Sequence, residues 1–292
     1  MKDMADKIFE RNELFAKQVT KILESHLPAI NSFAQQFGQW LTQIQTNVAP
    51  YLEKIAQIDW QAVQERIENM PTRSREAMIK ASEQGWFFNW NNSFSDVWSL
   101  IDSLQDANSD KVDEILKAHY LNDMDWYVSE LKKAFPDRAQ AINAAINAHK
   151  IRSPEGYYLS IPVFLAQADG ILSEVTGTPS AMDKVRNGSE LKGSAWAQAQ
   201  IGDNQEVKNL LYQLLNLHTM DILKSKKTRD RESLASGKTF NALNRHQVLH
   251  GEISNYGTEL NSLKAFSFLA FTGLHIPCAL RSPYLVDIEP SI

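Results

Sequence analysis

Arg245, His246 and His250 sit within one short stretch of the chain, FNALNRHQVLHGEISNYGTELNSLKAF, residues 240 to 266. Histidine titrates near neutrality and can both take and give a proton, while arginine grips phosphate oxygens through two N–H groups at once. Three chemistries fit this cluster. The first is a metal site, because HQVLH resembles H-E-x-x-H, in which two histidines four apart on one helix face hold zinc. Gln247 stands where that pattern has its glutamate, so the general base is missing, and a zinc held without hydrolysis would need Glu252 or Asp169 as further ligands. The second is structural, with the three side chains satisfying helix ends and neighbouring carboxylates. The third is metal-independent cleavage of RNA, which needs a base for the 2′-hydroxyl proton, an acid for the leaving 5′-oxygen and a cation for the charge on the phosphorane-like transition state. On an ideal helix His250 lies about 140° around from Arg245, so the two flank a face, whereas His246 and His250 share one.

The elements that must hold these residues read as helices throughout. Apolar positions recur at helical spacing from residue 5 to about 150, as in Ile8, Leu14, Phe15, Val19 and Ile22, and period-two alternation is almost absent. The fold class is therefore all-α: an N-terminal helical domain over 1–150, then a C-terminal helical bundle over 151–292 ending in an extended tail. Breaks are expected at Pro28, Pro50 and Pro71, at the aromatic turn GWFFNWNNS and at DANSD. Ser93 is a candidate cap for the helix containing Phe94, and Ser109 or Asp110 for the next. The tryptophans at helical spacing read as core, and GWFFNW, whose aromatics crowd into a turn, stays open as a stacking platform.

In the second domain Tyr158, Ile161, Phe164, Leu165, Ala168, Ile171 and Leu172 mark one long apolar face, with Gly177 as its stop. Pro162 either opens this helix or kinks it. A polar connector is expected over 178–202, then a helix through Val207, Leu210, Leu211, Leu214, Leu215 and Ile222. A third helix carries NALNRHQVLHG and ends at Gly251; a fourth, capped by Thr258, holds Leu260, Leu263, Phe266, Leu269 and Ala270. Between the second and third of these helices lies KSKKTRDRESLASGK, the most basic window of the chain, which reads as a solvated loop. The run AFSFLAFTGLHIPCAL is too short for a spanning helix, at roughly 20 residues needed, and reads as a core helix stopping near Pro277.

Bulk composition narrows the function classes. With 30 basic against 35 acidic side chains the net charge is -5, so the chain as a whole is not built to coat a polyanion and any nucleic-acid contact must be local. Lys224, Lys226, Lys227, Arg229 and Arg231 are the candidate RNA-binding patch. Cys278 is the only cysteine, which excludes an internal disulfide and fits a reducing compartment. The first residues, MKDMADKIFERNELF, contain no apolar signal-peptide core, and the expectation is a cytoplasmic protein without a membrane anchor.

NRHQVLHG resembles the R-x4-6-H signature of the HEPN superfamily, whose members are four-helix, mostly dimeric proteins that include many metal-independent RNases of toxin-antitoxin, CRISPR and phage-defence systems. The longer pairing of YYLSIPVFLAQADGI with LNRHQVLHGEISNYGTELNSLKAFSFL is similar to the HEPN-like C-terminal domains of a group of bacterial proteins, and EQGWFFNW to a turn ahead of that domain. The resemblance covers residues 151 to 276. It implies a catalytic pair of Arg245 and His250, with His246 as the auxiliary polar residue and Asp169 as a helix-borne acid orienting Arg245 or a histidine. Asn244, Glu252 and Tyr256 join Asp169 as supporting residues; Tyr256, six residues after His250, does not match the H-x-Y variant. The expectations that follow are an endoribonuclease without metal or cofactor, acting on RNA as a homodimer in a toxin or phage-defence role, with an antitoxin or sensor protein as a further partner. An inactive member would instead be a nucleotide- or protein-binding scaffold.

Overall fold

In the computed structural model, the described residues are 60–89, 94–186 and 188–280. The expected Ser93 cap, the breaks at Pro28 and Pro50, the apolar stripes before residue 60 and the tail from 281 lie outside them. Two units are distinguished, residues 1–73 with 281–292, and residues 74–280. The second unit crosses the boundary drawn from sequence at residue 150, because the helices on either side of that position pack extensively on each other.

The protein is all-α, as its periodicity requires, and the described residues hold no strand, only an isolated bridge between Lys184 and Leu191. In chain order the helices are α1 (Trp60–Glu83), α2 (Phe94–Gln105), α3 (Ser109–Asn122), α4 (Met124–Ala134), α5 (Ala139–Lys150), α6 (Pro154–Thr176), α7 (Lys192–Ile201), α8 (Gln205–Leu210), α9 (Tyr212–Leu215), α10 (Lys226–Ser236), α11 (Arg245–Leu249), α12 (Glu259–Ala270) and α13 (Ile276–Leu280). Pro71, an expected break, lies inside α1. Asn108 rather than Ser109 or Asp110 caps α3, accepting from the Lys111 N–H at 3.0 Å.

The central element is α6, packed between α5 and α12. It starts on Ser153 as cap with Pro154 in its first turn, runs through Pro162, and ends on Gly177 at φ 59°. Its apolar face, from Ile161 through Phe164, Leu165 and Ala168 to Leu172, is fully buried. Gly156 and Gly170 allow close approach: a Cβ on the first would meet the Ala148 carbonyl, and one on the second would meet the guanidinium of Arg138 that crosses α6 to reach Glu174 and Gln167.

The aromatic turn belongs to the core. Trp86, Phe87 and Phe88 are buried, and several of their backbone groups are met by buried side chains. Gln213 accepts from the Phe88 N–H at 2.8 Å and donates to the carbonyls of Trp86 and Met78; Ser267 accepts from the Phe87 N–H; Tyr120 donates to the Phe87 carbonyl. An unmet backbone group there would cost about 1–3 kcal/mol, so these three polar residues fix the turn against α3 and α12.

The last apolar segment does not stop at Pro277. After α12 the helix widens through a π turn, Phe271–His275, in which the Ile276 N–H reaches the Phe271 carbonyl, and continues as α13 with Pro277 inside it. Proline has no N–H to give and clashes with the carbonyl four residues back, a conflict that the wider turn just before it relieves. Gly273 sits in that turn against Leu131, where a Cβ would come within 2.5 Å. By length and composition Glu259–Leu280 could cross a membrane, yet 72% of its most apolar window is buried inside the protein, as befits a core helix. Phe266, Phe268, Leu269 and Phe271 are all fully buried within the chain.

His275, in the π turn, donates from Nε2 to the Leu210 carbonyl at 2.8 Å and stacks on Phe271. Burial pushes its pKa down to about 4, the carbonyl opposing only in part. Burial lowers His119 and His149 as well. The sign follows from linkage: above the unfolded value near 6.5 both states are neutral, and below it the unfolded chain takes a proton that the folded one refuses. Stability is expected to fall between pH 6.5 and 4, His275 alone contributing ~3 kcal/mol of the loss. Urea titrations across that range check this, and His275→Gln should be less stable at pH 7 but show a shallower fall.

Candidate functional site

The motif helix α11 is a five-residue element rather than the end of a core helix. Its start is fixed by Asn244, a buried cap whose Oδ1 accepts from the Gln247 N–H at 3.1 Å. Its end is fixed at His250 and Gly251: the His250 N–H returns to the His246 carbonyl, Gly251 adopts φ 69°, and the Glu252 N–H reaches the Gln247 carbonyl at 2.8 Å. The side chains at 245, 246 and 250 are thus carried on a closed turn and a half.

Two contacts lay this segment along α6. Arg245 pairs through Nη2 with Asp169 Oδ2. About three turns earlier on the same helix face, Tyr158 donates its hydroxyl to the Ser254 carbonyl at 2.7 Å and meets the Tyr256 ring edge to face. Gly257 is required there, because a Cβ would lie 2.7 Å from the Tyr158 ring. Burial, with Tyr158 beside it, raises the Tyr256 phenol. Beside the Arg245 pair, Asp169 Oδ1 and Arg245 Nε are buried atoms without a partner, one acceptor and one donor left unused.

The two histidines come together, as their spacing requires. Their ring centres are 4.3 Å apart, tilted by 50°, and both residues are exposed. Glu252 Oε1 lies 3.2 Å from His246 Nε2. The other oxygen of Glu252 accepts from Arg229 Nη2 at 2.8 Å.

Arg229 belongs to the interior, contrary to its expected place in a surface patch. It is 3% exposed, and its Nη1 donates to Asn244 Oδ1 and to the Lys224 carbonyl, both at 2.9 Å, with Phe240 beneath the guanidinium. Lys224 is also engaged inside the chain, with Asp221 and Glu232 each at 2.7 Å. Burial works against its charge, but the two carboxylates outweigh it and hold the ammonium above its usual range. Lys226, Lys227 and Arg231 are exposed and remain as the local positive surface. The loop expected here is a helix, α10, capped by Ser225 and closed by Gly237 at φ 66°.

Asn244 completes this knot by donating to the carbonyls of Asp221 and Lys224. Sequence reading named Asn244 and Glu252 as supporting residues and missed the role of Arg229; the signal available was a cap-type asparagine directly before the motif. A second buried network, His149 to Ser262 to Ser160 at 2.8 Å each, joins α5, α12 and α6 and was not anticipated. Among the described residues no group of three or more His, Cys, Asp or Glu side chains is arranged to hold a metal ion.

Comparisons with protein-family models, with curated proteins and with solved structures return no match. The candidate site therefore rests on its own geometry.

Asn244→Ala removes one helix cap and strands the donors and carbonyls that its side chain serves. The expected loss is at least about 2 kcal/mol of stability by urea denaturation, more than an isolated cap alone would give.

Proposed function

We propose that this chain is a metal-independent endoribonuclease of the HEPN type, with Arg245, His246 and His250 as its catalytic residues. The observation that carries the reading is the pair of exposed imidazoles with ring centres 4.3 Å apart, one on the helix that begins with Arg245 and the other at its C-terminal cap. One ring can take the 2′-hydroxyl proton while the other supplies a proton to the leaving 5′-oxygen, and a guanidinium offers charge for the phosphate. Asp169 orients Arg245, in the role that the resemblance to HEPN proteins implies for it.

The biological reading is a growth-arresting toxin or phage-defence effector that works on RNA in the cytoplasm. The protein acts in this reading as a homodimer with the two 245–250 segments facing each other, which would double the cations at one cleft. Cysteines introduced at position 247 in a Cys278→Ser background should then crosslink efficiently; their failure to do so would leave the site within one chain.

Cleavage of single-stranded RNA by the purified protein in EDTA tests the activity. Arg245→Ala should lower the rate by roughly 10²-fold or more. RNA or nucleotide binding without any cleavage would instead make the chain an inactive scaffold. Replacing Lys226, Lys227 and Arg231 together by glutamine should weaken RNA binding and make its dependence on log salt shallower by up to about 2. Unchanged binding would show that the exposed face of α10 takes no part.

A further inference from the structure

Arg229, Glu252 and His246 form a line from the interior to the surface. The buried guanidinium is held on one side by the Lys224 carbonyl and Asn244 Oδ1, and gives its other terminal nitrogen to Glu252 Oε2. Glu252 in turn presents Oε1 to Nε2 of His246 at 3.2 Å. Arginine has only N–H groups to offer, so Glu252 is fixed as an acceptor, and 3.2 Å from it a ring nitrogen carrying a hydrogen is favoured over one presenting a lone pair. The Nε2–H form leaves Nδ1 of His246 with a free lone pair.

We infer that Arg229 and Glu252 are positioning residues that lock His246 in its Nε2–H tautomer, making His246 Nδ1 the base of the proposed cleavage and leaving His250 as the acid. This rests on the endoribonuclease reading for its consequence, although the tautomer itself does not. The step balances within the site. His246 Nδ1 takes the 2′-hydroxyl proton, the 2′-oxygen bonds to phosphorus, the bond from phosphorus to the 5′-oxygen breaks, and that oxygen receives a proton from His250. The carboxylate of Glu252 stabilises the positive charge that His246 acquires. Among the described residues no carboxylate is paired with His250, whose ring contact is with His246.

The alternative within the same geometry is that the Arg229–Glu252 pair only anchors α10 to the loop after α11. The two roles differ in what Glu252→Gln does. Arg229 would claim the oxygen of the introduced amide, turning its NH₂ toward His246, and the ring would have to accept at Nε2 and carry its hydrogen on Nδ1. An anchoring contact would survive this change, whereas the base would lose its lone pair.

The test is ¹⁵N NMR of the full-length protein labelled at histidine, with His246→Asn to assign the signal, alongside steady-state cleavage of RNA. Wild-type His246 in its neutral form should show the Nε2–H tautomer, and Glu252→Gln should invert it to Nδ1–H while lowering kcat roughly 10²-fold with KM within about twofold. A wild-type His246 in the Nδ1–H form overturns the inference without any variant, so a variant that failed to fold would not shield it. A Glu252→Gln protein with inverted tautomer and undiminished kcat also overturns it. If wild-type protein cuts no RNA, the endoribonuclease reading fails, and the tautomer pair still decides whether Arg229 and Glu252 position His246.

Discussion

A guanidinium taken out of water must have its donors met, and Arg229 is the charge in this protein around which that requirement organises its neighbours. Its partners come from three places: the backbone at Lys224, the cap residue Asn244 and the carboxylate of Glu252. Each partner has a second duty. Asn244 starts the motif helix, Glu252 faces His246, and the Lys224 carbonyl also receives the Asn244 amide. Satisfying one buried cation thus sets where α11 begins, where its following loop returns and which surface imidazole stands next to a negative charge. Removing the side chain of Asn244 or Glu252 would leave an unpaired charge or donor, which costs more than the contact itself contributes.

The same rule of satisfied burial operates in the scaffold. Gln213, Ser267 and Tyr120 meet the backbone of the Trp86–Phe88 turn, and His149, Ser160 and Ser262 meet one another where α5, α6 and α12 converge. The helix α6 packs between α5 and α12, and it carries both groups that hold the motif segment, Tyr158 and Asp169. A site on a short helix gains its definition from such supports, since five residues cannot form a stable helix by themselves.

Much of this was legible in the sequence where a residue type has one structural use. Gly177, Gly251 and Thr258 end or begin helices as their chemistry dictates, and His246 with His250 share a face because four residues make just over one turn. Periodicity failed where burial and hydrogen bonding part company. Val207, Leu210, Leu211, Leu214 and Ile222 are buried and Leu215 is half-buried, yet the segment runs as two short helices and two 3₁₀ turns, broken at Leu211 and Asn216. The expected connector at 178–202 contains α7, which packs through Gly193 and Ser194 by close approach; Gly193 sits against Ala181 and Leu172. Small residues leave no apolar stripe to read. In α10 the helix was masked by its charges, although Ser225 and Gly237 flanked it with the signals of a cap and a stop. Pro162 and Pro277 lie inside helices, where local pattern read the first as an opening or a kink and the second as a stop.

The functional account depends on one chemical claim, that the imidazoles beside Arg245 move protons to and from the sugar and phosphate oxygens of RNA. The ends of the cut RNA report this most directly. Transfer from a 2′-hydroxyl predicts fragments ending in a 2′,3′-cyclic phosphate and beginning with a 5′-hydroxyl, and no cut at a position where the 2′-hydroxyl has been replaced by hydrogen. Fragments carrying a 5′-phosphate and a free 3′-hydroxyl, or equal cutting of the 2′-deoxy substrate, would contradict the account.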